Sequence, residues 1–324
     1  MKNAINASLP EELDQRLKAI ILLGPQTSGD NFFSKKRRTT LRVNTIKTTA
    51  EVFLKQMKEL GVVLEQVPWY EKAFILKNEN QRQDLFHSAP NDSGDFYVQG
   101  LSSMIPPLVL DPRPDDKLLD IAASPGSKTT QLSVQMNNTG EILANDISQD
   151  RLFKLKRNLD AQGAINVKLN RSLGETLWRR YPEYFDKTLA DAPCSMEGRI
   201  SLLDPRTFRN WSLKKIKALS KRQKWILRSA VSATKPGGTI VYSTCTLAPE
   251  ENEEVIDWLL NKEADAIKLE SISIPNLKLM PGITSWQGKK YNPEIRKTAR
   301  ILPSELMEGF FVAKIRKLRS TVNF

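Results

Sequence analysis

Residues 118–146, LLDIAASPGSKTTQLSVQMNNTGEILAND, decide the fold. LLDIAAS is an apolar strand running into the turn SPGSKT. Thr129 to Met136 reads as a helix and EILAND as a second strand. Strand, crossover helix and strand make one βαβ unit of right-handed connection. Downstream, Ser148 to Gln162 reads as a helix. Residues 164–169 (AINVKL), 187–192 (KTLADA) and 237–244 (GGTIVYST) read as three more strands. A helix from about Lys214 to Ala233 precedes the last strand, and Glu250 to Lys262 follows it. Strands alternating with helices predict an α/β fold with a mostly parallel sheet. The tail, from KLESIS (268–273) to GFFVAKI (309–315), is strand-rich and predicts antiparallel edge strands.

Upstream the pattern changes. Residues 106–111, with Pro106, Pro107, Pro112 and Pro114 in or near them, read as a connector. Residues 40 to 78 read strand, helix, strand, with Gly61 ending the helix and Pro68 breaking the last strand, so a small α+β module is expected. Residues 9 to 23 read as a helix with Ser8 as its N-cap. The predicted division is 1–105 and 106–324.

The composition excludes several chemistries. The 324 residues contain one histidine, His87, and two cysteines, Cys194 and Cys245. These do not suffice for a four-ligand zinc site of Cys and His, nor for a disulfide framework. His87 lies in a polar stretch with no nucleophile motif near it, which argues against a Ser-His-Asp triad. No apolar run approaches the roughly 20 residues that span a bilayer, and MKNAINASLPEELDQRL has no apolar signal region. A cytoplasmic, metal-free monomer off the membrane is expected. The 49 Lys and Arg exceed the 37 Asp and Glu by 12, which favours a polyanionic partner. Two basic clusters stand out, Lys35 to Arg38 and Lys214 to Arg228; the competing reading of each is a solvated surface.

In a parallel sheet the ligand lies at the carboxyl ends of the strands. Four loops qualify. The first, Asp120 to Thr129, is rich in small residues that let backbone approach a ligand, and the helix start behind it suits an anion. It matches neither GxxxxGK nor GxGxxG. The second ends in Asp146, about 20 residues on, where an acid commonly binds ribose hydroxyls; the competing role is a helix N-cap. Together they argue for an adenosine-containing cofactor. The third, Asp191 to Ser195, and the fourth, Ser243 to Leu247, each hold one of the two cysteines. Glu250 and Glu251, beyond the fourth loop, read as acids serving a helix dipole.

LDIAASPGSKTTQL, ILANDISQDRL, DAPCSMEG and VYSTCTLAPEENEEVI, in this order, resemble the NOL1/NOP2/Sun family of RNA cytosine-5 methyltransferases. RVNT, DFYVQGLSSMIPPLVL and ARILPSELMEGFFVAKI extend the resemblance to about residues 40–318. It implies a Rossmann-like domain binding S-adenosyl-L-methionine and a small RRM-like N-terminal module that contacts RNA, either tRNA or rRNA. Carried over, Ala122, Ala123, Ser124, Pro125, Gly126, Ser127 and Lys128 correspond to the cofactor loop. Asp146 corresponds to the ribose acid, Asp191 to the acid between cofactor and base, Cys245 to the nucleophile and Cys194 to the cysteine assisting product release. Two departures stand out. Met196 follows PCS where glycine is usual. No acid stands near Leu173, where the family's adenine-binding acid falls, which leaves Asn170, Ser172 or backbone for that task.

These residue types suit the chemistry. Carbon 5 of cytosine is a poor nucleophile, and a thiolate added at carbon 6 turns the ring into an enamine that attacks a methyl donor. The thiolate form of Cys245 needs support, for which the helix start after it and Lys128 are candidates. Asp191 would hold the exocyclic amine and ring nitrogen. The target base must be unstacked, with the basic clusters on RNA phosphates. Two rivals stand beside this reading. One is a degenerate member that binds RNA without transferring methyl. The other is methyl transfer to an exocyclic amine, which DAPCS does not resemble.

Overall fold

The computed structural model describes residues 8–23 and 33–322. Helix α1 (Glu11–Leu22) opens the chain. It starts later than Ser8 predicts: Pro10 occupies the N-cap position and makes no side-chain cap. Leu13, Leu17 and Ile20 repeat at helical spacing and pack against Ile200, Phe208 and Leu247 of the downstream domain, so α1 is part of that domain's core.

The α+β module follows as β1 (Thr40–Val43), α2 (Ala50–Glu59), β2 (Leu64–Val67), β3 (Tyr70–Leu76), the short helices α3 (Arg82–Phe86) and α4 (Ala89–Ser93), and β4 (Phe96–Val98). The strands form one antiparallel sheet in the order β2-β3-β1-β4, a split βαβ unit like that of an RRM. One face of the sheet packs on α2 through Leu41, Val43, Phe53, Phe74 and Phe96. The other face presents Arg42, Tyr70, Ala73 and Ile75.

That second face is covered by α5 (Leu101–Leu110), where Tyr70, Ala73 and Ile75 meet Leu101 and Met104. The connector expected at 106–111 is therefore wrong over 106–110. Pro106 and Pro107 lie inside a helix, because Ile105, Val109 and Leu110 are buried under the main sheet and packing outweighs the lost backbone bonds. The covering also removes the open sheet face that RRM modules use to stack bases.

The main domain runs β5 (Lys117–Asp120), α6 (Ser127–Gln135), β6 (Glu141–Asn145), α7 (Gln149–Gln162), β7 (Val167–Asn170), β8 (Phe185–Asp191), α8 (Leu213–Ala233), β9 (Thr234–Thr244) and α9 (Glu253–Lys262). Then come β10 (Ile267–Glu270), β11 (Met280–Pro281), the two-residue hairpin strands β12 (Ser285–Trp286) and β13 (Lys289–Lys290), β14 (Ala299–Ile301) and β15 (Phe310–Lys317). The nine-stranded sheet has the order β11-β14-β15-β9-β8-β5-β6-β7, with β10 also on β15. Strands β5 to β9 are parallel, giving the Rossmann-like fold. β15 is no edge strand, since it lies between β9 and the pair β14 and β10. Its alternation explains the place: Phe311, Ala313 and Ile315 join the α8–α9 side of the core, while Phe310 and Val312 join the α5–α6 side.

The chain builds β5, β6 and β7 outward on one side, then returns to place β8 and β9 on the other. The strand order thus switches between β5 and β8, the crevice where such folds bind ligands.

Candidate active site

The first and third loops flank that switch point. In the first, Gly126 has φ +108 and allows the chain to turn into α6. Asp120 is buried and accepts from Thr129 Oγ1 at 2.7 Å, while its other oxygen has no partner among the described residues. Burial pushes its carboxyl up to about 7, with the Thr129 bond opposing. Ser124 donates to the Arg151 carbonyl at 3.0 Å, and Arg151 returns a 2.6 Å bond to the Ser124 carbonyl, so the loop is clasped to α7.

Asp191 ends β8. Its Oδ2 accepts from Lys128 Nζ at 2.7 Å and its Oδ1 from Ser243 Oγ at 2.8 Å. Burial works against the Lys128 ammonium, but Asp191 more than offsets it and holds its pKa above that of an ordinary lysine. Three loops therefore converge on one carboxylate.

Cys194 Sγ and Cys245 Sγ are 3.4 Å apart. The hydrogen bond with Cys245 raises the Cys194 thiol well above its ordinary pKa, burial adds to this, and the Met196 N–H opposes it. The helical turn after Cys245 begins four residues on, as a 3-10 helix at Pro249–Glu251, and α9 begins at Glu253.

Glu250 and Glu251 lie, as expected, in the first helical turn after the fourth loop, the 3-10 helix Pro249–Glu251, and both carboxylates also make tertiary contacts. Glu251 is fully buried and clamps the third loop, accepting from Ser195 N at 3.0 Å, from Ser195 Oγ and from Gln223 Nε2 at 2.8 Å. Burial pushes it up to about 7, the Ser195 and Gln223 bonds opposing. Glu250 pairs with Arg16 of α1 at 2.8 Å. The sequence reading missed this clamp; the signal available was an acid close behind each cysteine motif. It also missed Arg199 and Glu308, paired at 3.2 Å beside the thiols.

Two clefts of about 360 Å³ each open here. The first is lined by Ile121, Ala122, Ser124, Asp146, Ile147 and Ile226, among others. The second lies between the small module and the main domain, with Tyr97, Gln99, Lys128, Arg199, Glu308 and Phe310 on its walls. Asp191 and Cys245 border both. Cys194 borders the first, and Pro125, Ser127 and Ala123 the second.

Asp146 is buried, pairs with Arg151 at 3.3 Å and accepts from Ser148 N at 3.0 Å. The helix N-cap is Ser148, whose side chain accepts from Arg151 N. Ser172 lines the first cleft, whereas the Asn170 amide is engaged by Asn145 and Ser172, both at 2.8 Å. Met196 lies on the first cleft with φ +64, the left-handed region that favours glycine.

The basic clusters are partly structural. Arg37 donates to the carbonyls of Gly198 and Ile200, and Arg38 to those of Leu76 and Lys77. Among the described residues no group of three or more His, Cys, Asp and Glu has a metal-holding arrangement, and no helix is long and apolar enough to cross a membrane.

Residues 107–316 match the family model described as 16S rRNA methyltransferase RsmB/F. The chain is 42% identical to the tRNA (cytosine(49)-C(5))-methyltransferase of Pyrococcus abyssi, across 89% of this chain and 91% of that one. It is 38% identical to ribosomal RNA small subunit methyltransferase F of Aeromonas salmonicida, across 98% of this chain but 66% of that one. This chain thus spans just under two thirds of the rRNA relative. A solved structure, the methyltransferase homolog protein from Pyrococcus horikoshii, superposes with a TM-score of 0.79 at 32% identity, covering 96% of this chain and 100% of that chain.

Proposed function

The chain belongs to the NOL1/NOP2/Sun family of RNA cytosine-5 methyltransferases, and on that premise we propose that it methylates carbon 5 of a cytosine in tRNA or rRNA through a covalent Cys245 adduct. One observation carries the reading: two clefts meet at Asp191 and Cys245, with a second thiol 3.4 Å from the first.

The donor set of the first cleft fits S-adenosyl-L-methionine. Asp146 offers a carboxylate to a ribose diol, Ile121, Ile147 and Ile226 offer apolar walls to adenine, and Ala122 and Ser124 of the first loop present small side chains. The cofactor bound there would supply an electrophilic methyl group. The second cleft takes the unstacked cytosine, with the 1–105 module forming one wall through Tyr97 and Gln99.

Within that arrangement Cys245 adds to carbon 6 of the base and raises the electron density at carbon 5. Asp191 has both oxygens engaged by protein donors, yet a carboxylate offers about four acceptor sites, so it can also hold the exocyclic amine of cytosine. Uracil lacks that donor, which gives selectivity. Lys128 donates to Asp191 and orients it. Elimination then passes the carbon 5 proton to solvent, the C5–H electron pair forms the ring double bond and the C6–S bond breaks to return the Cys245 thiolate, to which the Cys194 thiol 3.4 Å away donates a hydrogen bond.

The test uses unmodified tRNA and 16S rRNA transcripts with S-adenosyl-L-methionine, digested to nucleosides. The expected product is 5-methylcytidine, absent with Cys245→Ala. Cys194→Ala is expected to accumulate an RNA–protein adduct that survives a denaturing gel. Full activity in Cys245→Ala would sink the mechanism, and N-methylated nucleoside would sink the assignment of carbon 5.

A further inference from the structure

From Pro205 to Pro249 the sequence contains ten Lys and Arg and not one Asp or Glu. The structure divides these ten sharply. Five pair with acids: Arg206 with Asp204, Arg222 with Glu175, Lys224 with Glu254, Arg228 with Glu263 and Lys235 with Asp186. Arg209, Lys214, Lys215, Lys217 and Lys221 pair with no acid among the described residues. All five lie in 209–221, the start of α8 and the loop before it.

The inner side of this helix is committed to the active site. Ile216, Ser220, Gln223, Ile226 and Leu227 are buried. Gln223 donates to the Pro193 carbonyl and to Glu251, and Ser220 to the Glu250 carbonyl. Trp211, just before the helix, donates to Glu197 of the third loop at 2.8 Å. Arg222 borders the first cleft. On the outer side Lys214, Lys217 and Lys221 are exposed at spacings of three and four, so they form one stripe. Seven residues of helix make that stripe about 10 Å long. Like charges so arranged repel one another, and no acid among the described residues pairs with them. A phosphate chain does.

We propose that the outer face of the first half of α8, built on Lys214, Lys217 and Lys221 with Arg209 and Lys215 beside them, docks the backbone of the substrate RNA beyond the target nucleotide. The proposal rests on the RNA methyltransferase reading above. It places the contact on the helix that braces the DAPCS loop, so RNA is gripped next to the site it must enter.

The test measures binding of labelled, unmodified tRNA and 16S rRNA transcripts from about 50 to 300 mM salt, where each phosphate contact steepens the salt dependence by roughly 0.7 to 0.9. The variant Lys214→Gln/Lys217→Gln/Lys221→Gln is compared with the wild type and with Lys262→Gln/Lys268→Gln/Lys278→Gln, which removes three exposed cations elsewhere. The α8 variant is expected to lose about two to three units of slope and roughly ten-fold in affinity, with unchanged melting and S-adenosyl-L-methionine binding. The control variant is expected to behave as wild type. Equal losses in both variants, or none in the first, would overturn the docking surface while wild-type methylation still supports the enzyme. A wild-type chain that binds neither RNA would overturn both.

Discussion

Ser195 Oγ and Thr246 Oγ1 lie 2.7 Å apart, each in the residue directly after one of the two cysteines. Glu251 fixes this bridge from below by accepting from both the backbone and the side chain of Ser195. The separation of the two thiols is therefore set by a hydrogen-bonded lattice and not by the flexible loops alone. Glu251→Ala leaves the Ser195 N–H buried without its acceptor, at a cost of about 1–3 kcal/mol, while the Gln223 amide keeps only its bond to the Pro193 carbonyl. Methyl transfer should fall further than stability predicts, because the thiols lose their spacing. Glu251→Gln should recover most of the rate, since its amide oxygen can still accept from Ser195. Single-turnover rates beside urea unfolding separate the effects; a rate loss in Glu251→Ala with no recovery in Glu251→Gln would contradict the bracing role.

The same carboxyl gives a pH signature. Glu251 ionises at about 7 in the folded chain against 4.5 for an ordinary glutamate, because of burial. The folded state therefore binds more protons than the unfolded state between these values. Its stabilising contribution is complete below pH 4.5 and is lost as pH rises through 7, a difference of about 3 kcal/mol. Asp120, also raised to about 7 by burial, acts in the same direction. Glu251→Gln should flatten the fall in unfolding free energy across this window without abolishing it. A slope equal to that of the wild type would show that Glu251 does not titrate there.

Much of this site was legible because its residues sit at strand ends. The alternation of apolar strands and helices located four loops, and both cysteines fell in two of them. Other features were not legible because they depend on contacts distant in sequence. Arg37 reads as part of a basic run, yet it caps carbonyls of Gly198 and Ile200, more than 160 residues away. Pro106 and Pro107 signal a break by local rules, but burial between two sheets keeps that stretch helical. Met196 departs from a glycine pattern, and only the backbone reveals why glycine suits the position: φ is +64.

Lys128 provides a direct test of the electrostatics. Its ammonium is 2.7 Å from Asp191 and largely buried, so Lys128→Met leaves that carboxylate without its cation. Removing one preorganised partner of a reacting group costs roughly 10²- to 10³-fold in rate. The variant should show a loss of that size in the rate of methyl transfer with RNA and cofactor saturating. A loss confined to RNA affinity, with the rate intact, would reassign Lys128 to phosphate binding.

Gly198 joins the third loop to the fourth and to the start of β15. Its N–H donates to the Cys245 carbonyl at 3.1 Å, and its own carbonyl accepts from Gly309 N at 3.0 Å. A Cβ at position 198 would stand 1.9 Å from the Gly309 carbonyl oxygen, which is backbone and cannot swing aside. Gly198→Ala must therefore push the third loop away from β15, and Cys245 loses the donor that anchors its carbonyl. Overpacking of this kind typically costs about 1–3 kcal/mol. Because the displaced loop anchors the carbonyl of the nucleophile, adduct formation should suffer more than folding does. Trapping the adduct in Cys194→Ala with and without Gly198→Ala reads this directly. If the double variant forms adduct as fast as the single one, the Gly198–Cys245 bond has no part in placing the thiol.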